Sequence, residues 1–426
     1  MRISKNERCE IETGILLRDW DFKVFFPLFL ICLGSSIKCY QTSNEPLSKP
    51  LLLLFFLLPG VGLAIFLLIS KGQNIINLKF EKRSPILILW FMFTSALLLG
   101  AIWRQELIEI AKSIWLMIII PFFFFFLLPK NWGNRLPFNL LLAMMVGILP
   151  HLILSVLIVP PTNRMWYQGL LGNSNSMGQL STFSFASALL LMHASVFRSE
   201  WNFLLVFIPV ALLSLCLVLL SSSLTCLGTI LLISVIFMVN LIYCQHNSQI
   251  AVRLIVAAGI IVLLLGLFIP EPFEFLTQGI NDKVKLREEQ GSLIAGRDEI
   301  WRQHTSNVPF WGKARKDREQ VAYLTDHNNF IAIFSSNGIL AGILYALVSV
   351  LIIVRSVIYA LRFTQYNPYS ILPVIMVSVF LMMSITETFS LALDKPIIFS
   401  VYVAMGLLID HETKKTNLIA YETRFH

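Results

Sequence analysis

The side chains best suited to chemistry lie in one long polar segment, residues 271–328. Arg297 opens a stretch rich in helix-forming residues, and its planar guanidinium matches phosphate oxygens and stays charged at any biological pH. His327 lies just before an apolar run, where the positive end of a helix favours a neutral imidazole. Such an imidazole accepts a proton from a hydroxyl group near pH 7. These two residues suit phosphate binding and deprotonation of a hydroxyl.

Both residues also have a purely structural interpretation. The arginine could be an ordinary surface charge of a loop helix that carries an Asp298–Arg302 pair at i,i+4. The histidine could belong to a capping cluster in which Asp326 or Asn328 closes the next helix. The residue types alone leave both interpretations open.

Other side chains are candidates for binding a substrate. Arg104 and Arg164 lie in short loops and are candidates to contact a lipid headgroup or a diphosphate. Lys112, about one turn into the fourth apolar run, either snorkels outward or binds an anion. Glu387 lies near the end of the eleventh run and is a candidate to orient a basic residue. Asn328, beside the histidine, completes this set.

Two polar motifs lie on the same predicted side of a membrane. Residues 172–178 read Gly-Asn-Ser-Asn-Ser-Met-Gly, and residues 221–223 are three serines. Each is either ordinary turn and cap chemistry or a source of hydrogen-bonding groups for a site.

The composition requires a membrane. Hydrophobic residues make up 56% of the 426 residues, charged residues only 14%, and the mean hydropathy is +0.74. Soluble domains carry about 25% charged residues, so lipid must be the solvent for most of this surface. The net charge of +8 therefore does not indicate a nucleic-acid partner. The six cysteines show neither CxxC nor Cys/His spacing, which argues against a disulfide framework or a zinc site.

The hydropathy pattern predicts an all-α, polytopic protein with about 12 transmembrane helices. The predicted runs are 24–40, 50–70, 85–103, 108–129, 137–159, 176–197, 202–220, 222–244, 252–270, 329–354, 370–388 and 396–409. Gly338 and Gly342 form a GxxxG motif inside the tenth run, where we predict a close helix-packing face.

Basic residues predict the orientation. With both termini in the cytoplasm, the inside segments hold 18 Lys and Arg residues and the short outside loops hold 5. The predicted segments are a cytoplasmic N-terminal segment 1–23, transmembrane helices 1–9 over 24–270, a large periplasmic loop 271–328, transmembrane helices 10–12 over 329–409, and a cytoplasmic tail 410–426.

The order of these pieces resembles the O-antigen ligase and O-antigen polymerase superfamily over about residues 165–390. The shared features are a Gly-Asn-x-Asn loop before a mid-chain span, a small polar cluster two spans later, a large outer loop with Gly-Arg-x-x-x-Trp, a His-Asn pair at the next span, and a Glu in the following one.

The resemblance implies a GT-C-like membrane enzyme of the bacterial inner membrane. Such proteins take a glycan from an undecaprenyl diphosphate carrier on the outer face. Ligases pass it to a lipid A core sugar, and polymerases pass it to another lipid-linked repeat. The implied glycosyl transfer needs no metal and no cofactor, and polysaccharide assembly proteins are further partners. Arg297 would contact the diphosphate, His327 would act on the acceptor hydroxyl, and Glu387 would support them.

One motif departs from the family pattern. Members commonly carry Ser-Arg where this chain has Ser222-Ser223-Leu224, so another cation must meet the phosphate or substrate handling differs. Two other functions therefore stay open. One is a transporter of a small anion such as bicarbonate, which should place ionisable groups near the bilayer midplane. The other is a polysaccharide-assembly scaffold that has lost catalysis.

Overall fold

A computed structural model of the chain describes residues 16–37, 48–70, 84–161, 166–243, 270–289, 297–313, 327–391 and 395–422. Every regular element within these ranges is a helix. The principal helices are α1 Phe22–Ile37, α2 Ser48–Ser70, α3 Pro85–Trp103, α4 Leu107–Trp132, α5 Leu136–Ile158, α6 Ser174–Phe197, α7 Leu204–Ser221, α8 Leu224–Tyr243, α9 Pro270–Glu289, α10 Arg297–Thr305, α11 Asn329–Asn337, α12 Ile339–Phe363, α13 Leu372–Ser384 and α14 Pro396–Glu422.

Seven helices among the described residues are long and apolar enough to cross a membrane: α3, α4, α5, α6, α7 with the turn before it, α8 and α12. The chain is therefore a multi-pass helical membrane protein. Helices α1 and α13 are apolar but shorter. The predicted run 252–270 lies outside the described residues, so the full set of twelve spans stays a prediction.

Helix α6 is the centre of the bundle. It packs against α5, α7, α8 and α13, and 89% of its most apolar 18-residue stretch is buried. Small polar residues allow this close packing, and they bond within the protein rather than facing lipid. Ser214 of α7, for example, donates to Ser184 of α6 at 3.0 Å. We call the end of the bundle where α6 and α12 begin and α3 and α13 finish the site end.

Helix α4 is widened at its centre. Two π-helical segments, Trp115–Ile119 and Pro121–Leu127, interrupt its α-helical geometry. Pro121 has no backbone N–H, so the normal hydrogen-bond ladder cannot continue through it. The indole of Trp90 on α3 donates instead to the Leu116 carbonyl at 3.0 Å.

The predicted run 329–354 is broken, and the break lies at Gly338. Helix α11 ends at Asn337 and α12 begins at Ile339. Gly338 has φ +94°, and a Cβ there would collide with the Phe310 carbonyl of the segment that crosses the break. The GxxxG motif is therefore a hinge between two helices rather than a packing face within one. Gly342 lets α12 approach the Phe334 ring of α11.

The last two helices also differ from the predicted runs. Helix α13 ends at Ser384 rather than 388, which leaves Glu387 beyond the helix in a loop. Helix α14 continues to Glu422, so most of the predicted tail 410–426 is helical. The Ser222 turn does separate α7 from α8, as predicted, and Ser222 adopts the left-handed conformation there.

Candidate functional site

The loop at residues 385–391, called here the Glu387 loop, is the point where several predicted site residues meet. It follows α13 and begins with a backbone turn in which the Glu387 N–H donates to the Met383 carbonyl at 2.9 Å. The Glu387 carboxylate accepts a hydrogen bond from the Asn175 side-chain amide at 3.1 Å. Asn175 belongs to the 172–178 motif. Asn173 of the same motif caps α6, so the motif provides both a cap and a site contact.

Arg297 lies against the same loop. Its Nη1 donates to the Thr386 carbonyl at 3.1 Å, and the side chain is half-buried. Further along α10, Arg302 instead faces water and bonds Glu299 at 3.0 Å, one turn before it. These hydrogen bonds hold the pKa of the Glu299 carboxyl below its usual value. The structure thus separates one inward-facing arginine from an ordinary surface pair, which involves Glu299 rather than the predicted Asp298.

Asn329, two residues after His327, connects the segment that contains His327 to the Glu387 loop. The buried Asn329 amide donates to the Tyr345 hydroxyl at 2.7 Å and accepts from the Phe389 N–H at 3.3 Å. Asn328 caps α11 by accepting from two backbone N–H groups, so its oxygen is engaged as the structural interpretation predicted. His327 is half-exposed and has φ +43°, a conformation that costs about 1–2 kcal/mol for a residue with a Cβ.

Lys283 brings a cation to the Ser222 turn, where the local sequence has no arginine. Its Nζ donates to the Ser222 carbonyl at 3.0 Å and lies 5.8 Å from the centre of the Trp166 ring. Lys283 is 61 residues from Ser222 in the chain, and α9 packs along α7 to bring it there. The sequence carries no local motif that would have indicated this contact.

Lys395 is a second cation that sequence analysis did not select. It donates to the side chain of Gln179 on α6, and its Nζ lies 4.8 Å from the centre of the Phe389 ring. Gln179 and Asn175 lie one turn apart at the start of α6, so Lys395 and Glu387 contact the same end of that helix.

Lys112 lines a separate cleft of about 180 Å³ that residues 388–391 of the Glu387 loop also line. Lys112 is about half-exposed and pairs with Glu109 at 2.8 Å. The facing wall offers amide and hydroxyl groups from α11 and the Glu387 loop, namely Asn329, Ser336, Asn337, Thr388 and Ser390. This cleft, called here the Lys112 cleft, has the mixed polar and apolar lining of a ligand site.

Arg104 is a structural residue rather than an exposed contact. Only 3% of its side chain is exposed. It bonds Glu106 at 3.1 Å and the Asn337 side chain at 3.4 Å, and it also donates to the Trp311 carbonyl. It therefore ties α3 to the break at Gly338. Arg164, the other loop arginine, lies outside the described residues.

The described residues include no group of three or more His, Cys, Asp or Glu side chains that would hold a metal ion. The site is instead built from cations, amides and hydroxyl groups at the site end. Neither a scan of protein-family models nor a search of curated proteins finds a match for this chain. What it does must therefore be argued from its own residues.

Proposed function

We propose that the protein transfers a glycan from a lipid-linked diphosphate to a hydroxyl acceptor on the outer face of a bacterial inner membrane, as an O-antigen-type polymerase or ligase. One observation carries the proposal: three basic residues lie at the site end, Arg297 on the Thr386 carbonyl of the Glu387 loop, Lys283 on the Ser222 carbonyl and Lys395 on Gln179 of α6. Cations grouped at a membrane surface suit a diphosphate whose lipid tail stays in the bilayer.

The donor diphosphate binds through Arg297. Its Nη1 donates to the Thr386 carbonyl at 3.1 Å. That bond fixes the plane of the fork, and the half-buried position strengthens its attraction to phosphate oxygens. Lys283 adds a point charge at the Ser222 turn, where the resembling family has an arginine.

Transfer then forms one bond, breaks another and moves one proton. The acceptor hydroxyl oxygen attacks the anomeric carbon, the bond from that carbon to the diphosphate breaks, and the diphosphate leaves with the electron pair. His327 takes the hydroxyl proton. The strained backbone of His327 supports this role, because such conformations cluster at functional sites. The residues described require no metal for this step, since the leaving group is already an anion stabilised by cations.

The acceptor glycan occupies the Lys112 cleft. Its amides and hydroxyl groups suit sugar hydroxyls, and Asn329 lines the cleft while also contacting the Glu387 loop. Both substrates would thus contact the Glu387 loop. The basic-residue asymmetry of the sequence supports an outer location for this end, with both termini in the cytoplasm.

A deletion strain examined by a glycan ladder gel tests the function. Loss of long chains with one repeat still attached to its acceptor identifies a polymerase. Loss of all attachment, with polymer left on the carrier, identifies a ligase. An unchanged ladder together with altered uptake of an anion such as bicarbonate would refute the enzyme and support the transporter. A ladder that is lost on deletion and restored to normal by variants of the proposed catalytic residues would support the scaffold role and refute catalysis.

Complementation with Arg297→Ala or His327→Ala should fail although each protein is made and inserted. We expect at least about a hundredfold loss of transfer, the usual effect of removing a transition-state donor or a general base. The matched control is Arg302→Ala, which removes an arginine from the same helix that faces water and bonds Glu299. Near-normal ladders from both site variants would contradict the assignment.

A further inference from the structure

A second pocket lies at the end of the bundle opposite the site end, between α12 and α14. It encloses about 100 Å³. Helix α12 begins beside the break at Gly338, and at 1.5 Å per residue Arg355 lies roughly 25 Å and Arg362 roughly 35 Å along it. A bilayer core is about 30 Å thick, so these two residues bracket the headgroup level of the opposite leaflet.

The pocket wall is aromatic. Tyr359 and Phe363 stand one turn apart on α12, and the His411 ring of α14 packs edge-on against both. The ring centres are 5.4 Å and 4.6 Å apart. These rings offer apolar and π surface at a depth where lipid headgroups begin.

The pocket carries charges of both signs. Arg355 Nε lies 3.3 Å from the Glu412 carboxylate, whose other oxygen accepts from the Ser84 hydroxyl at 2.6 Å. The Arg362 guanidinium is exposed and lies 5.7 Å from the centre of the Phe363 ring.

We propose that this pocket binds the headgroup of a phospholipid that carries an ammonium group next to its phosphate, as phosphatidylethanolamine does. The arginines meet the phosphate, while Glu412 and the aromatic rings meet the ammonium group. In phosphatidylglycerol the same phosphate would meet the arginines, but that headgroup carries no cation for Glu412 or the aromatic rings. Ile358, which lines the pocket and is 49% exposed, continues the surface toward the acyl chains. The proposal is independent of the glycan chemistry at the site end.

Lipid retention tests this site. The full chain is equilibrated in detergent micelles with equal mole fractions of phosphatidylethanolamine and phosphatidylglycerol, and the bound lipids are counted by native mass spectrometry. We expect about tenfold enrichment of phosphatidylethanolamine. Arg362→Ala should abolish the enrichment, Glu412→Gln should reduce the preference between the two lipids, and Arg362→Lys should preserve binding.

The matched control is Leu361→Ala, which changes a lipid-facing residue next to Arg362 that does not line the pocket. It should leave the enrichment unchanged. Equal retention of both lipids, preference for phosphatidylglycerol, or enrichment that survives both Arg362→Ala and Glu412→Gln would each overturn the proposal. If Arg362→Ala does not fold, the Glu412→Gln and Arg362→Lys results decide it.

Discussion

At the scale of single residues, polar side chains at the site end differ in their burial and in their hydrogen-bond partners. Arg104 and Arg297 are both arginines near the site end, yet their surroundings differ. Arg104 is buried and bonded to three partners, whereas Arg297 is half-buried on a carbonyl of the Glu387 loop. The proposed phosphate contact is therefore Arg297, on the Glu387 loop, rather than the buried Arg104.

Arg104→Ala should therefore destabilise the protein rather than impair chemistry alone. It leaves the Glu106 carboxylate and the Trp311 carbonyl without their guanidinium partner in a buried setting. We expect a loss of about 3 kcal/mol, measured as a lower unfolding temperature in detergent. A variant that keeps its unfolding temperature and loses only transfer would show that Arg104 is a substrate contact after all.

Lys283→Met should lower glycan transfer by about tenfold or more, because it removes a charge-assisted contact from the proposed diphosphate position. Lys283→Arg should retain most of the activity. The control is Lys285→Met, since Lys285 lies on the same helix and is exposed. Transfer assays on purified proteins measure all three. Equal activity of both methionine variants would remove Lys283 from the site.

The sequence predicted local chemistry but did not predict contacts between residues that are far apart in the chain. Residue type and position predicted Arg297 and Glu387, and the structure brings Arg297 and Glu387 to one loop. Lys283 and Asn329 were missed because their roles depend on partners more than 50 residues away. A lysine in a charged loop looks the same in sequence whether it faces water or a turn of another helix.

At the scale of helices, hydropathy located the apolar segments but not where they bend. A window average cannot distinguish one long helix from α11 and α12, because both are apolar and only Gly338 separates them. The GxxxG spacing favoured a packing face for the same reason. What distinguishes the break is the Phe310 carbonyl that lies against Gly338, a contact with another part of the chain.

Gly338→Ala tests the importance of this break. The new Cβ would collide with the Phe310 carbonyl, and φ +94° is unfavourable for alanine, so we expect destabilisation by more than about 2 kcal/mol and loss of transfer. The control is Gly60→Ala within α2, where an added Cβ meets no atom within 4 Å. Gly60→Ala should be neutral or stabilising by up to about 1 kcal/mol. A neutral Gly338→Ala would show that the hinge is dispensable.

At the scale of the whole molecule, composition alone established a multi-pass helical membrane protein. The number of spans rests on the hydropathy pattern, and their orientation rests on the distribution of basic residues. Charge asymmetry is read by the insertion machinery rather than by packing, so the fold itself does not reveal it.

Cysteine labelling checks the orientation. In a background without the six native cysteines, Ser306→Cys after α10 and Gln365→Cys after α12 are both exposed positions at opposite ends of the bundle. A membrane-impermeant maleimide added to spheroplasts should label Ser306→Cys only, and Gln365→Cys should react only after lysis. The reverse pattern would put the proposed diphosphate site in the cytosol and end the glycan-transfer proposal.

The burial of α6 has a consequence for how the protein is made. Its serines and threonines give it the lowest mean hydropathy of the seven long apolar helices, and its neighbours cover nearly all of its most apolar window. One of those neighbours, α13, is synthesised some 170 residues later. During biogenesis α6 is therefore synthesised before the helices that enclose it, and it is poorly suited to contact lipid on all sides. Helix α6 must then stay beside the translocon or its earlier neighbours until the C-terminal helices are inserted.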